Sequence, residues 1–241
     1  MKLARFVSIT RGPLHARCSR AGVVICILFA LATPAVAGPP LICHPFDIGT
    51  AKSLPWTGSA WNLSGNEGYD TANLVRDTLA ILNSDARVIV HMETLRRATL
   101  YAGKDQQRAK ELLTRLHARA DAAPAGKAGA LAWFDAGYLT ATYGQWLAKE
   151  RNPAAGLDAY GLVQRALALS GNDPEMEFAA ALMTLRGPQH DHLEHAQKAI
   201  AGAKADALLA RNLSIHILGN ANQTVAEALG QTREAASNDF R

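Results

Sequence analysis

From residue 71 to about residue 218, the apolar residues recur with a helical period, and no stretch alternates as a half-buried strand would. Val88, Met92 and Leu95, for example, are spaced three or four residues apart, which places them on one side of a helix. Short breaks that contain glycine, proline or aspartate separate the periodic segments. Such a chain buries its apolar stripes only by packing helix on helix, and we predict an all-α fold.

The breaks divide this region into consecutive helices. We predict helices over residues 71–83, 84–102, 104–122, 129–150, 157–169, 175–185, 190–203 and 206–218. Ser84 is expected to cap the second helix, and Gly103 is expected to end it in a left-handed conformation. Neighbouring helices then form hairpins, so that residues 71–220 make one domain of stacked helical hairpins.

The residues before this domain have a different composition. Residues 38–70 contain four prolines and five glycines, which exclude a long helix. The same stretch contains Ile42, Phe46, Leu54 and Trp56, and it is too apolar for a disordered linker. We predict an extended arm that lies on the helical body. Residues 221–241 have no apolar face, and we predict that they are partly disordered.

The first 37 residues have the order of a secretory signal peptide: basic residues, an apolar run and then small residues. The apolar run, Ala21 to Ala32, is shorter than the roughly 20 residues of a membrane-spanning helix. We expect cleavage between Ala37 and Gly38, which would export the protein to the periplasm or outside the cell. No later stretch is apolar enough to span a membrane.

Removal of this segment changes the charge balance, because it contains five of the 25 basic residues and none of the 21 acidic ones. The remaining 20 basic and 21 acidic residues lack the positive excess that attracts phosphate, so we expect no nucleic-acid partner. Cys43 becomes the single cysteine, which excludes an internal disulfide. It is expected to be buried, free or paired with another chain.

The second helices of two predicted hairpins share a spacing of small, bulky and small residues. The two sets are Ala159, Val163 and Ala166, and Ala196, Ile200 and Ala203. This spacing over residues 85–220 resembles the tetratricopeptide repeat, a helical hairpin of about 34 residues that stacks into a solenoid. The resemblance implies a bacterial scaffold that binds a protein or peptide on a concave face, with no cofactor and no enzymatic activity.

The resemblance also places the first helix of each hairpin on that concave face. Trp133, Tyr138 and Tyr143 lie on one such helix and are candidate anchors for a partner, since aromatic residues dominate interfaces. A helix that is apolar on several faces is usually buried between its neighbours, which is the other interpretation of these residues. His91 and Arg96 are further candidates on the same face.

Two groups of residues suggest a chemical function instead, as a metal-linked or redox-linked protein or an enzyme. One is the adjacent pair Cys43 and His44. The other is the segment HDHLEH, in which His190, His192 and His195 are weak candidates for a metal site. The spacing supplies only a chelating pair, whereas a full site needs three or four ligands, so we predict no metal. Motifs of nucleophilic, phosphate-binding and haem-binding sites are missing from the sequence.

Overall fold

The computed structural model describes residues 38–57 and 63–218. Within these residues the chain forms eight α-helices and no strand, which confirms the predicted all-α fold. The predicted signal peptide and the predicted C-terminal segment lie outside the described residues.

The eight helices agree with the predicted ones to within a few residues at each end. They are α1 (Leu74–Leu82), α2 (Val88–Ala102), α3 (Gln106–Asp121), α4 (Lys127–Trp146), α5 (Ala159–Ser170), α6 (Pro174–Thr184), α7 (Gln189–Gly202) and α8 (Ala207–His216). None of the helices in the described part of the chain combines the length and the apolar character that crossing a membrane requires.

Four of the helices begin at an aspartate whose carboxylate accepts hydrogen bonds from the free N–H groups of the first turn. These residues are Asp105 before α3, Asp158 before α5, Asp173 before α6 and Asp206 before α8. Such caps satisfy donors that a helix leaves unpaired, and each contributes about 1 kcal/mol. The sequence therefore sets these four boundaries locally.

The boundary of α2 is different, and the predicted cap is wrong. Ser84 donates a hydrogen bond back to the carbonyl of Ile81, at 2.6 Å, and α2 begins four residues later. The first turn of α2 is capped by a distant side chain, because the Glu175 carboxylate accepts a hydrogen bond from the N–H of Ile89 at 2.9 Å. The Arg87 side chain pairs with the same carboxylate.

Gly103 ends α2 as predicted, but its conformation is not left-handed, since its φ is −58°. A side chain at this position would crowd a neighbour. A Cβ atom at this position would lie 3.1 Å from Nε1 of Trp146, at the end of α4. A larger residue here would require a small shift of the Trp146 side chain, and this contact cannot be predicted from the residues around position 103.

Helix α2 is the centre of the structure. All its residues except Arg97 are buried, including the charged residues Glu93 and Arg96. It packs against α1, α3, α4 and α6. Helix α4 packs against α3 and α5, and α6 packs against α7. These neighbouring helices leave one face of α2 open. Residues 38–57 cover that face.

We call residues 38–57 the arm. It is not extended along its whole length as predicted, because the chain turns at two places. The N–H of Cys43 donates to the carbonyl of Pro39 at 3.0 Å, and the N–H of Ala51 donates to the carbonyl of Ile48 at 3.2 Å. The backbone of the arm contacts side chains of α2, α4 and α8, and one of its rings contacts α6. Leu41, Ile42, Phe46 and Leu54 of the arm are each at most 3% exposed. Three of the four apolar residues that excluded a disordered linker, Ile42, Phe46 and Leu54, are therefore part of the hydrophobic core, and the fourth, Trp56, packs against it.

The burial of the arm predicts that Leu54→Ala destabilises the protein by about 2–5 kcal/mol, because it leaves a cavity in the core. Leu193, which is 47% exposed on α7, is the matched control, and Leu193→Ala should change stability by less than about 0.5 kcal/mol. Urea unfolding followed by circular dichroism measures both. Equal, small effects would show that the arm does not pack on its own domain.

Candidate functional site

The central feature beneath the arm is a buried cluster of charges on α2. Glu93 has no exposed surface and lies between two guanidinium groups. Its carboxylate accepts hydrogen bonds from Arg96 Nε at 2.8 Å and from Arg97 Nε at 2.6 Å. Spacing alone suggests a solvent-exposed Glu93–Arg97 ion pair. The pair does form, but with a fully buried carboxylate, because the arm covers this side of α2.

The cluster binds the main chain of the arm. The N–H of Phe46 donates to the Glu93 carboxylate at 3.0 Å. Arg96 Nη1 donates to the carbonyl of Ile42 at 3.0 Å, and Arg97 Nη1 donates to the carbonyl of Leu54 at 2.6 Å. Three side chains thus satisfy polar groups of the arm that would otherwise be buried without partners.

Further contacts fasten the end of the arm to α2. The Tyr101 hydroxyl donates to the carbonyl of Pro55 at 2.5 Å. The Trp56 ring lies 4.9 Å from the guanidinium carbon of Arg96 and 5.8 Å from that of Arg97, distances at which a cation is attracted to an aromatic face. This part of the arm adds aromatic contacts to the main-chain hydrogen bonds.

Helix α8 holds the middle of the arm at Asp47. Asn212 forms hydrogen bonds with both main-chain groups of that residue. Its Oδ1 accepts from the Asp47 N–H at 2.9 Å, and its Nδ2 donates to the Asp47 carbonyl at 2.9 Å. Arg211 Nε donates to the Asp47 carboxylate at 2.7 Å. This hydrogen bond, with one from the N–H of Gly49, lowers the pKa of Asp47. At the other end, the N–H of Leu41 donates to Gln145 on α4 at 3.0 Å.

Aromatic rings surround Phe46 of the arm. The His216 ring on α8 stacks on it with a centroid distance of 4.5 Å, and the Phe178 ring on α6 meets it edge to face at 5.9 Å. His44 lies edge-on to His216 at 6.0 Å. Burial, and secondarily the nearby His44, lowers the pKa of His216 to about 4. The histidine therefore stays neutral in the folded protein down to acidic pH.

We call the faces of α2, α4, α6 and α8 that contact the arm the arm groove. The candidate site is this groove with its occupant. Side chains of α2, α4 and α8 form hydrogen bonds with the main chain of the arm. An aromatic pocket encloses Phe46, and the cation Arg211 pairs with the next residue, Asp47.

Two of the predicted anchor residues lie away from this groove surface. Tyr138 and Tyr143 have no exposed surface. The Tyr143 hydroxyl donates to the carbonyl of Ala109 at 3.2 Å, and the Tyr138 ring stacks on Phe134. These two tyrosines pack inside the helical body, as expected of a helix that is apolar on several faces, and they leave no surface for a partner.

The third predicted anchor, Trp133, is half-buried. Its ring lies under the guanidinium group of Arg165 on α5, at 3.7 Å from ring centroid to guanidinium carbon. A partner that contacted this face of the ring would displace Arg165. Partner binding by Trp133 stays a prediction.

The predicted residues His91 and Arg96 are both buried on α2, but only Arg96 contacts the arm. His91 Nδ1 lies 2.7 Å from the Asp135 carboxylate on α4, which also accepts a hydrogen bond from Arg119 on α3 at 2.5 Å. This network joins three helices. His91 therefore faces the interior between α2 and α4.

The three histidines of HDHLEH lie in three different environments. His190 is 85% exposed along its side chain. His192 Nδ1 donates to the carbonyl of Ala181 at 2.8 Å. His195 is buried between the Glu177 carboxylate and the Tyr160 hydroxyl. Across residues 38–57 and 63–218, no three His, Cys, Asp or Glu side chains are grouped closely enough to hold a metal ion.

Cys43 is a free thiol that is 9% exposed, in the arm beside Gly38. A Cβ on Gly38 would lie 2.5 Å from the Cys43 sulfur. Ala37, the other residue of the predicted cleavage point, lies outside the described residues. The His44 ring lies edge-on to His216, so His44 contributes to the contact between the arm and α8.

Sequence reasoning missed the residues that hold the arm from α4 and α8. Gln145, Arg211 and Asn212 are polar residues on helices, and such residues ordinarily face solvent. Nothing in their local spacing marks them as partners of a segment more than 100 residues away. Only Arg96 of the groove was among the predicted site residues.

Comparisons of the chain with protein-family models, with curated proteins and with solved structures find no match. The resemblance to tetratricopeptide repeats therefore depends on residue spacing alone.

The burial of Glu93 predicts that Glu93→Gln, which keeps the shape but removes the charge, lowers the free energy of unfolding by about 3–5 kcal/mol. The reason is that Arg96, only 1% exposed, loses its counter-ion. Glu111 pairs with Arg108 at 2.9 Å on α3, but both side chains are more than 30% exposed. Glu111→Gln should cost less than about 1 kcal/mol. Similar losses for both variants in urea unfolding would contradict the buried cluster.

The lowered pKa of His216 predicts acid destabilisation with a defined pH window. The unfolded chain binds a proton near pH 6.5, whereas the folded chain does so only near pH 4. Above about pH 6.5, His216 is neutral in both states and does not reduce the free energy of unfolding. Between about pH 6.5 and pH 4 only the unfolded chain takes up the proton, so the free energy of unfolding falls by about 3 kcal/mol. His216→Phe should flatten the slope over this range, relative to the unsubstituted chain, in urea unfolding at several pH values. His190→Gln is the control, and equal slopes in all three proteins would contradict the assignment.

Proposed function

We propose that this protein is an exported, tetratricopeptide-like scaffold of the bacterial periplasm or exterior that binds an extended segment of a protein or peptide in the arm groove. The observation that carries the proposal is that side chains of α2, α4 and α8 hold the arm mainly through its main chain. The clearest case is Asn212, which pairs with both the N–H and the carbonyl of Asp47.

Main-chain hydrogen bonds of this kind suit a binding site for peptides. Every peptide carries the same N–H and carbonyl groups, so contacts to them provide affinity, and pockets for particular side chains provide selectivity. The groove has both types of contact. Glu93 and Arg96 hold main-chain groups, whereas Phe178 and His216 enclose a side chain.

The order of the helices supports the tetratricopeptide-like assignment. If α2–α3, α4–α5 and α6–α7 are taken as hairpins, the arm lies on the first helix of each one and on α8. The first helices are the ones that line the concave face in the repeats which the spacing resembles. Export is supported by the basic, apolar and small residues of the first 37 positions.

A displayed library of extended peptides tests the proposed function. The receptor is the chain of residues 38–241 with Asp47→Asn, which loosens the arm at its partly exposed ion pair with Arg211. We expect enrichment of peptides that no longer bind when Asn212→Ala is added. Arg115→Ala, at an exposed position on α3, is the control and should leave binding unchanged.

Two results would contradict the proposed function. One is a library without enriched peptides. The other is a set of enriched peptides that bind equally well to the receptor with and without Asn212→Ala, because such peptides would bind outside the arm groove.

A further inference from the structure

We propose that the arm groove selects segments in which an aromatic residue is followed directly by an acidic one, and that the chain's own Phe46 and Asp47 occupy these two positions until such a segment displaces them. This inference rests on the proposed peptide-binding function and specifies its ligand. It comes from the two side chains of the arm that receive dedicated contacts at adjacent positions.

The first position is an aromatic pocket. The Phe46 ring is 3% exposed. The His216 ring stacks on it, and the Phe178 ring meets it edge to face. Both arrangements are favourable ones for aromatic rings, and they stabilise the pair beyond the burial of the ring. An aliphatic side chain could fill part of this pocket, but it would lose the ring contacts.

The second position is a cation at the rim of the groove. Arg211 Nε lies 2.7 Å from the Asp47 carboxylate, and the two side chains are 55% and 35% exposed. A pair this exposed adds little stability to the fold. It does distinguish an acidic residue from a neutral or basic one at this position, and an exposed pair is the part of the contact that a competitor can reach first.

Main-chain contacts keep these two positions in register. The N–H of Phe46 is held by Glu93, and both main-chain groups of Asp47 are held by Asn212. With two consecutive residues fixed in this way, the ring and the carboxylate enter their positions in one alignment only. A segment with the same two residues in reverse order would present its carboxylate to Phe178 and its ring to Arg211.

The arm is also a competitor, because it belongs to the same chain. A tethered segment acts at an effective concentration of about millimolar. An external segment of similar affinity therefore binds weakly while the arm is in place and binds more tightly when the arm is weakened. The groove is regulated in this way by its own occupant.

A fluorescence-polarisation assay tests the inference. The probe is a labelled peptide with the sequence of residues 41–48, in which serine replaces the cysteine to prevent oxidation. The receptors are the chain of residues 38–241 without substitution, with Phe46→Ala plus Asp47→Asn, and with Asp47→Asn alone. The last receptor retains the buried Phe46 ring, so it is expected to fold even if the doubly substituted receptor does not. Circular dichroism checks that each receptor is folded.

We expect the probe to bind the doubly substituted receptor at least tenfold more tightly than the unsubstituted chain. It should bind the Asp47→Asn receptor about two- to fivefold more tightly, because an exposed ion pair contributes little. The probe that carries alanine in place of the phenylalanine should bind at least tenfold more weakly, and the probe that carries asparagine in place of the aspartate about two- to fivefold more weakly. Adding Arg211→Ala to a receptor should abolish its discrimination between the acidic and the asparagine probes, whereas the control Arg115→Ala should retain it.

The other outcomes overturn the inference in distinguishable ways. If all probes bind equally well and compete with library peptides, the groove binds peptides without this selectivity, and the proposed function survives alone. If no probe binds any receptor and the library is also empty, both proposals fail. If the weakened receptors form dimers in proportion to their concentration, the occupant is the arm of a second copy, which size-exclusion chromatography with light scattering detects.

Discussion

The rest of the structure depends on the hydrogen bonds and ion pairs of the buried Glu93 carboxylate. A charge without solvent contact is costly unless it is paired and fully hydrogen-bonded. Here Arg96, Arg97 and the N–H of Phe46 supply the partners. Two of these groups come from α2 itself, but the third comes from the arm, and both arginines reach onward to arm carbonyls. The arm and the central helix therefore stabilise each other.

This dependence explains why α2 can be buried on nearly all sides although it carries several charged residues. Neighbouring helices cover most of it, and the arm covers the remaining face with apolar side chains while its main chain satisfies the polar ones. The same division of roles occurs at α8, where Asn212 holds the main chain and His216 packs against a ring. In both places, side chains of the helices hold the main chain of the arm, and rings or apolar side chains enclose a few of its residues.

The helices could be predicted closely, because their signals are local. Apolar spacing located all eight within the described residues, and Asp105, Asp158, Asp173 and Asp206 mark four of their starts. The two local expectations that failed, a cap at Ser84 and a left-handed Gly103, failed at the ends of α2. Distant residues act there: Glu175 caps the helix, and the Trp146 side chain lies close to the glycine.

The sequence by itself determined the all-α class, the order of the helices and the presence of an apolar arm before them, because period, caps and composition act over a few residues. Only the tertiary structure decided which polar residues are buried. Helical period shows that residues share a face, but it does not show what packs on that face. Glu93 and Asn212 look like solvent-facing residues in the sequence, and both became parts of the groove because a segment far away in the chain lies across them.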